Sequence, residues 1–259
     1  MRKIRIAFIK YGGMTLGGSE KLLQNIAAYL PKNRFEVTYF YTDMVKTIGP
    51  YVKPLQTDAD RIRFVRSHGV KLVKCSLRAI DLTTPSYIWR DTDFFSLFNE
   101  DDFDIIQTCR GGHKEFPFTK IRKKPIIDII ALSSGSDNQY NLSRVLHLCS
   151  WSRDGWVRRG GDKARSRIIS LPVVIENEPI EDLRKVFGLK DCFIFGMHQR
   201  PSDAIFSPTP LQAYSCVETD KTVYILMGGS NLYKQQAKAL GIKHIIFLEP
   251  TGDSFKIFS

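Results

Sequence analysis

The sequence predicts an α/β fold built on doubly wound parallel sheets and divided between two domains. Short β-branched runs alternate with amphipathic runs along most of the chain, the first such pair is joined by a glycine-rich loop, and a second series of alternations begins near residue 190.

"KIRIAFI" (residues 3–9) is rich in β-branched residues and bounded by Gly12 and Gly13, which marks a first strand. In "SEKLLQNIAAYLP", Leu22, Leu23, Ile26, Ala27 and Leu30 recur at helical spacing, with Ser19 the expected N-cap and Pro31 past the end. "FEVTYFY" (35–41) is the next strand, so the chain opens as a βαβ unit whose crossover favours parallel pairing. "DADRIRFVRSHG" is helical and stops at Gly69, "VKLVKC" is a strand, and "FDIIQTC" (103–109) is a strand that runs into the turn "RGGHKEFP". "KPIIDII" (124–130), "RVLHLCS" and "SRIIS" are further strands around a helical "SRDGWVRR". Residues 76–100 mix turn and apolar signals and define no element.

"LPVVIENEPIEDLRKVFGLKD" is the best linker: a proline-marked extended stretch, then a short helix from about Ile180 that Gly188 closes. After it "CFIFG", "SPTPLQAYSC", "KTVYILMGG", "SNLYKQQAKALG" and "KHIIFLEP" alternate strand, helix, strand, helix, strand. That series is shorter than a complete doubly wound domain, so the expected division is 1–188 for a Rossmann-like domain and 189–259 for part of a second.

A hydrophobic content of 43% with 12% aromatics excludes a disordered chain. The five cysteines are scattered with no CxxC pair, which suits a reducing, cytoplasmic setting with cysteine as a small core residue and implies no zinc site. The apolar run "IAFI", broken by Lys10, is too short for a signal peptide, and no apolar stretch reaches the roughly 18 residues of a membrane span. The net charge of +11 gathers in "KIRKK" (120–124) and "RRGGDKARSR" (158–167). Such clusters suit phosphate or the surface of an anionic membrane, and a solvated basic face with no partner accounts for them equally; without an accompanying nucleic-acid motif, nucleic acid is the weakest partner.

The loop "YGGMTLGGSEKLL" places Gly12, Gly13, Gly17 and Gly18 between a strand end and a helix start, where bare backbone and the helix dipole favour an anion. Neither GxGxxG nor GxxxxGK[ST] occurs there, which disfavours a nicotinamide dehydrogenase or a P-loop ATPase. A loop needing unusual backbone angles, with no ligand, accounts for the same glycines.

The opening, from "IRIAFIKYGG" through "GGSEKLLQNIAAYL" to "FEVTYFY", resembles the GT-B glycosyltransferases of the GG-x-E and paired-glutamate type, which are retaining and use nucleotide sugars. The match puts Gly17, Gly18 and Glu20 on the GG-x-E element, whose glycines line the donor diphosphate in that family. "FDIIQTC" and its turn are similar to the family strand whose following loop carries an acceptor-side histidine, here His113. "RIISLPVVIE" is similar to the crossover between domains, with Leu171 where asparagine is usual. "FIFGMHQRPSD" resembles the first strand of the donor domain and sets Arg200 where the family's diphosphate-binding arginine stands. The lysine expected a few residues on is replaced by Ala204, Ile205 or Phe206. The paired glutamates fall after the last residue of this sequence, so a chain shortened before that motif is expected.

The resemblance implies a hexosyltransferase-like enzyme acting between domain 1–188 on the acceptor side and 189–259 on the donor side. His113 and Arg200 are the catalytic candidates, and Gly17, Gly18, Glu20 and Arg200 the donor-binding ones. The donor would be a nucleotide-diphosphate sugar, the acceptor a glycan or a lipid-linked species, with no metal and no cofactor, at a cytoplasmic membrane surface or in the cytoplasm. The alternative is a non-catalytic binding or regulatory remnant of such an enzyme.

Overall fold

Strands that are apolar along their whole length have no face to give to water, and they must lie in a parallel sheet covered on both sides. The computed structural model describes residues 2–10, 14–15, 17–42, 58–76, 92–131, 135–170, 183–199 and 202–249. The chain divides into two compact units, Met1–Val174 and Ile175–Ser259.

In the first unit β1 (Ile4–Lys10), α1 (Gly18–Tyr29), β2 (Phe35–Thr42), α2 (Ala59–Ser67), β3 (Lys71–Cys75), α3 (Phe94–Leu97), β4 (Ile105–Cys109), β5 (Ile126–Ile130), β6 (Leu142–His147), α4 (Ser150–Arg158) and β7 (Ser166–Ile168) follow in turn. The strands form one seven-stranded sheet in the order β3-β2-β1-β4-β5-β6-β7, with every pairing parallel. The order reverses between β1 and β4, which pair as Ile6↔Ile105 through Phe8↔Gln107.

Alternation along β1 sends Ile6 and Phe8 to one face, where Leu22, Leu23 and Ala27 of α1 and Val65 of α2 bury them. Ala7 and Ile9 go to the other face, against Phe40, Phe94, Phe98 and Phe103. On that face Phe40 sits edge-on to three other phenylalanine rings at 5.4–5.7 Å. Each fully buried side chain of this size contributes about 1.5–3 kcal/mol. Trp156 of α4, wholly buried, closes the β6 end of that cluster, and the backbone N–H of Gly161 returns to its carbonyl at 3.0 Å.

The second unit contains α5 (Leu183–Val186), β8 (Phe193–Gln199), α6 (Thr209–Ser215), β9 (Thr222–Gly228), α7 (Asn231–Ala239) and β10 (Ile245–Leu248). Its parallel sheet runs β10-β9-β8, and Leu211, Tyr214, Leu226 and Tyr233 form its core. Gly188, at φ +66°, follows α5, and the N–H of Leu189 reaches the carbonyl of Arg184 at 2.8 Å, as the linker's closing glycine requires.

The structure differs from the sequence expectation in several details. Helix α1 begins two positions earlier than expected, with Gly17 as N-cap in an extended conformation (φ −60°, ψ 148°). The Ser19 hydroxyl turns instead to the Glu20 carboxylate at 2.9 Å. Cys75 and Cys109 are buried, and burial pushes each thiol up to about 12, but Cys149 and Cys216 are exposed and are not core residues. Glu100–Asp102 form a 3-10 turn, and the Glu100 carboxylate accepts from the backbone N–H groups of Arg122, Lys123 and Lys124. Lys123 also pairs with Asp101 at 2.8 Å, so part of the "KIRKK" charge is met within the chain. The stretches 77–91, 132–134 and 171–182, with Leu171, lie outside the described residues, as do Gly12 and Gly13.

A Cβ placed on Gly161 would run into the indole ring of Trp156. Gly161→Ala should therefore cost about 1–3 kcal/mol through overpacking; an unchanged urea midpoint would contradict this account of the α4 end.

Candidate active site at the carboxyl edge of the first sheet

In an open parallel sheet the crevice lies outside the carboxyl ends of the strands, at the point where strand order reverses. Here that point is the end of β1 beside the end of β4. Lys10, the last residue of β1, donates from Nζ to the Cys109 carbonyl at 2.7 Å and meets Glu20 Oε1 at 3.3 Å. An amine at the end of an apolar strand is thus held by one backbone dipole and one carboxylate, and it joins both strands to α1.

Glu20 stands three residues after the N-cap of α1, and its carboxylate folds back over Gly17; a Cβ on Gly17 would strike it. The absence of a side chain at Gly17 leaves room for the Glu20 carboxylate over the start of its own helix, where its charge is favourable to the dipole. Gly18 has open space around its Cα, with nothing within 4 Å of an added Cβ. The loop is braced from below: Gln24 Nε2 donates to the Thr15 carbonyl at 3.0 Å, and Arg61 Nε donates to Gln24 Oε1 at 2.6 Å. The N–H of Asp58 reaches the Met14 carbonyl at 2.7 Å.

The end of β4 is fixed by a buried ionic network. Arg110 donates from its backbone N–H and its Nε to the two oxygens of Asp128, both at 3.0 Å, and from Nη2 to Asp137 Oδ2 at 3.0 Å. Nη1 donates to the His113 carbonyl at 3.0 Å, and the guanidinium lies 4.7 Å from the centre of the Phe118 ring. All three charged side chains are at most 1% exposed. Burial alone would pull the proton affinity of Arg110 down, but Asp128, Asp137 and Glu115 outweigh it and hold the guanidinium charged. Two main-chain bonds, Gly135 to Gly111 at 2.9 Å and Asp137 to Gly112 at 2.8 Å, fasten the loop after β4 to the segment before β6. Gly112 permits this: its φ is +76°, and an added Cβ would lie 2.9 Å from the Gly135 carbonyl oxygen.

Glu115 lies on the loop so fixed. It is half-buried, and among the described residues no donor reaches its carboxylate. Burial, with the nearby charges of Asp128 and Asp137, raises its pKa from 4.5 to about 7 against the opposing pull of Arg110 and Lys10.

The expected site residues separate. Gly17, Gly18 and Glu20 lie at the end of β1, and His113 is exposed on the loop after β4, its Nδ1 close to Gly135. Arg200 lies outside the described residues. The residue before it, Gln199, is held at the end of β8 by Gly229 N–H at 2.8 Å and by the Tyr233 hydroxyl at 2.8 Å. Where the family lysine would stand, Asp203–Ile205 form a 3-10 turn and Phe206 packs on Tyr233 at 4.8 Å. Sequence reading missed Lys10, Arg110, Glu115, Asp128 and Asp137. Asp128 carried the clearest signal, an acid inside the apolar strand "PIIDII", since a central strand tolerates a charge only when it is paired. Among the described residues no group of three or more His, Cys, Asp or Glu side chains is arranged to hold a metal ion, and no helix is long and apolar enough to cross a membrane.

The sequence matches no protein-family model, and no curated protein is similar enough to count as a relative. Solved structures are similar in fold. HepE of Anabaena, crystallised with UDP and glucose, superposes with a TM-score of 0.65 at 16% identity, over 98% of this chain and 71% of that one. The chain has the GT-B fold. The lipopolysaccharide outer core galactosyltransferase WaaB matches with a TM-score of 0.56 at 14% identity, over 98% of this chain and 70% of that one. A Listeria monocytogenes protein assigned as a UDP-N-acetylglucosamine 2-epimerase matches with a TM-score of 0.57 at 14% identity, over 97% of this chain and 70% of that one.

Removing Arg110 leaves two carboxylates buried without their cation, so Arg110→Ala should cost about 3–5 kcal/mol and Glu100→Ala, at the exposed turn, far less. Equal losses in chemical denaturation would remove the network from its structural role. For Glu115 the folded pKa lies above the unfolded one, so its contribution to stability is complete below pH 4.5 and is lost as pH rises through about 7. Relative to Glu115→Gln, the wild type should lose up to about 3 kcal/mol over that interval; a pH-independent difference would show that the carboxyl is not perturbed.

Proposed function

We propose that the chain transfers a sugar from a nucleotide-diphosphate donor to a hydroxyl group of a glycan or lipid-linked acceptor, without a metal or other cofactor. The observation that carries this reading is the fold shared with HepE, which was crystallised with UDP-glucose, together with the charged, braced strand ends of the first sheet. The GG-x-E element of the sequence supports the same reading.

In this proposal negative charge grows on the departing diphosphate as the bond to the anomeric carbon breaks. Arg200, a planar cation that follows β8 in the sequence, is the residue assigned to neutralise it. His113, exposed beside Gly135, holds a hydroxyl of the sugar or the acceptor. Glu20 is assigned a supporting part, as the counter-charge that orients Lys10.

Calorimetry with UDP-, GDP- and ADP-sugars is expected to reveal binding of one of them, and Arg200→Ala to weaken it by about 1–3 kcal/mol. If every nucleotide sugar fails to bind, the proposal falls; an unaltered affinity in Arg200→Ala takes that residue out of the site. Release of free nucleotide separates transfer from epimerisation, which leaves sugar and nucleotide joined.

A further inference from the structure

Strands that all point the same way bring the segments leading into them to one edge, opposite the carboxyl ends. At this amino edge of the first unit the two basic clusters of the sequence meet, although they lie far apart in the chain. "KIRKK" leads into β5 and "RRGGDKARSR" into β7, and residues 138–141, ahead of β6, join them. On one side Asn141 Nδ2 donates to the Ile121 carbonyl at 3.0 Å and to the Lys124 carbonyl at 3.2 Å, and the Tyr140 hydroxyl donates to the Arg122 carbonyl. On the other, Arg165 Nη1 donates to the Gln139 carbonyl at 3.0 Å, and the Asn138 amide accepts from the Asp162 N–H at 3.1 Å while donating to the Gly160 carbonyl.

The cations of this edge exceed what the chain neutralises. Glu100 is taken up by three backbone N–H groups, Asp101 by Lys123, and Asp162 by Arg165 at 3.1 Å. Among the described residues no carboxylate stands within ion-pair distance of Lys120, Arg122, Lys124, Arg158, Lys163 or Arg167. Between the clusters Tyr140 is 65% exposed, and because its hydroxyl is bonded back to the main chain, what it presents to solvent is its ring. Neighbouring strands lie about 4.8 Å apart, so the face from β4 to β7 is on the order of 15 Å wide. That is broad for one small anion, and the last turn of α4, whose dipole disfavours negative charge, ends there at Arg158.

We propose that this amino edge binds the anionic surface of a lipid bilayer, its unpaired cations meeting headgroup phosphates and the Tyr140 ring settling among them. Charge complementarity carries the proposal: each lysine or arginine held near an anionic bilayer adds to the attraction, and an amphipathic ring prefers the headgroup layer. A single-stranded nucleic acid needs a row of rings on which successive bases stack, whereas one ring stands between these clusters. The proposal is independent of the chemistry assigned to the carboxyl edge.

Sedimentation of the intact chain with vesicles of phosphatidylcholine alone, and of equal parts phosphatidylcholine and phosphatidylglycerol, tests it. Binding is expected only to the anionic vesicles, and it should fall steeply between about 0.05 and about 0.5 M sodium chloride. Arg122→Gln with Lys124→Gln, and separately Arg158→Gln with Lys163→Gln, should each weaken it about 25-fold. Lys221→Gln with Lys238→Gln removes the same charge from exposed positions of the second unit and should change it by less than about twofold. Tyr140→Ser should weaken vesicle binding and leave binding to heparin, a soluble polyanion, unchanged. Melting profiles should match wild type, and the two cluster pairs are read separately, so a pair that fails to fold leaves the other. Equal sedimentation with neutral vesicles, no binding at low salt, or a control pair as damaging as a cluster pair overturns the proposal. So does tighter binding to heparin than to anionic vesicles, which assigns the face to a soluble polyanion. Displacement by inorganic phosphate beyond that by chloride at equal ionic strength also overturns it, and makes the face a phosphate site.

Discussion

One guanidinium organises the carboxyl edge of the first sheet. Arg110 is shared between two carboxylates that come from different elements, Asp128 in the middle of β5 and Asp137 before β6. Because all three are out of water, none can be deleted without stranding a charge, and the loop that connects them has little freedom to move. The close approach of Gly112 to Gly135, the placement of His113 and the seat of Glu115 all follow from that arrangement. The aromatic packing beneath it, from Phe118 through the Phe40 cluster, stabilises the sheet, but only the ionic network specifies the shape of the edge.

The architecture was readable because it rests on periodicity. β-Branched runs mark strands buried on both faces, and every described strand falls on a segment whose composition announces it, from "KIRIAFI" to "KHIIF". The order of β1 and β4 at the reversal was not readable, since a strand's neighbours depend on long-range pairing that local composition does not encode. The early start of α1 shows the limit at one residue: Ser19 has the better capping chemistry, but Glu20 bonds to it and occupies the helix end itself.

The site was less legible than the fold. The glycines of the first loop announced themselves by number, and His113 by its place after a strand. Arg110 and Glu115 look like ordinary members of a charged turn, "RGGHKE", and become unlike each other only when folding buries one in a hydrogen-bonded network and leaves the other half-buried beside it, with no hydrogen-bond donor among the described residues. Asp128 could have been singled out, because its strand is otherwise apolar; Asp137 could not, since its polar surroundings in sequence give no hint that it is 1% exposed. The likeness to HepE and WaaB, below 20% identity, is one of fold.

The closure of Glu20 over Gly17 alters what the first helix offers to a visiting anion. A helix start of this kind is an empty socket for phosphate in many nucleotide-binding folds. Here the socket is wired internally: the chain supplies its own negative group, and Lys10 is the hinge pin between that group and the end of β4. A diphosphate arriving at this edge meets a balanced ion pair rather than a bare dipole. An anion bound there would compete with Glu20 for Lys10, and so would act on the joint between β1 and β4.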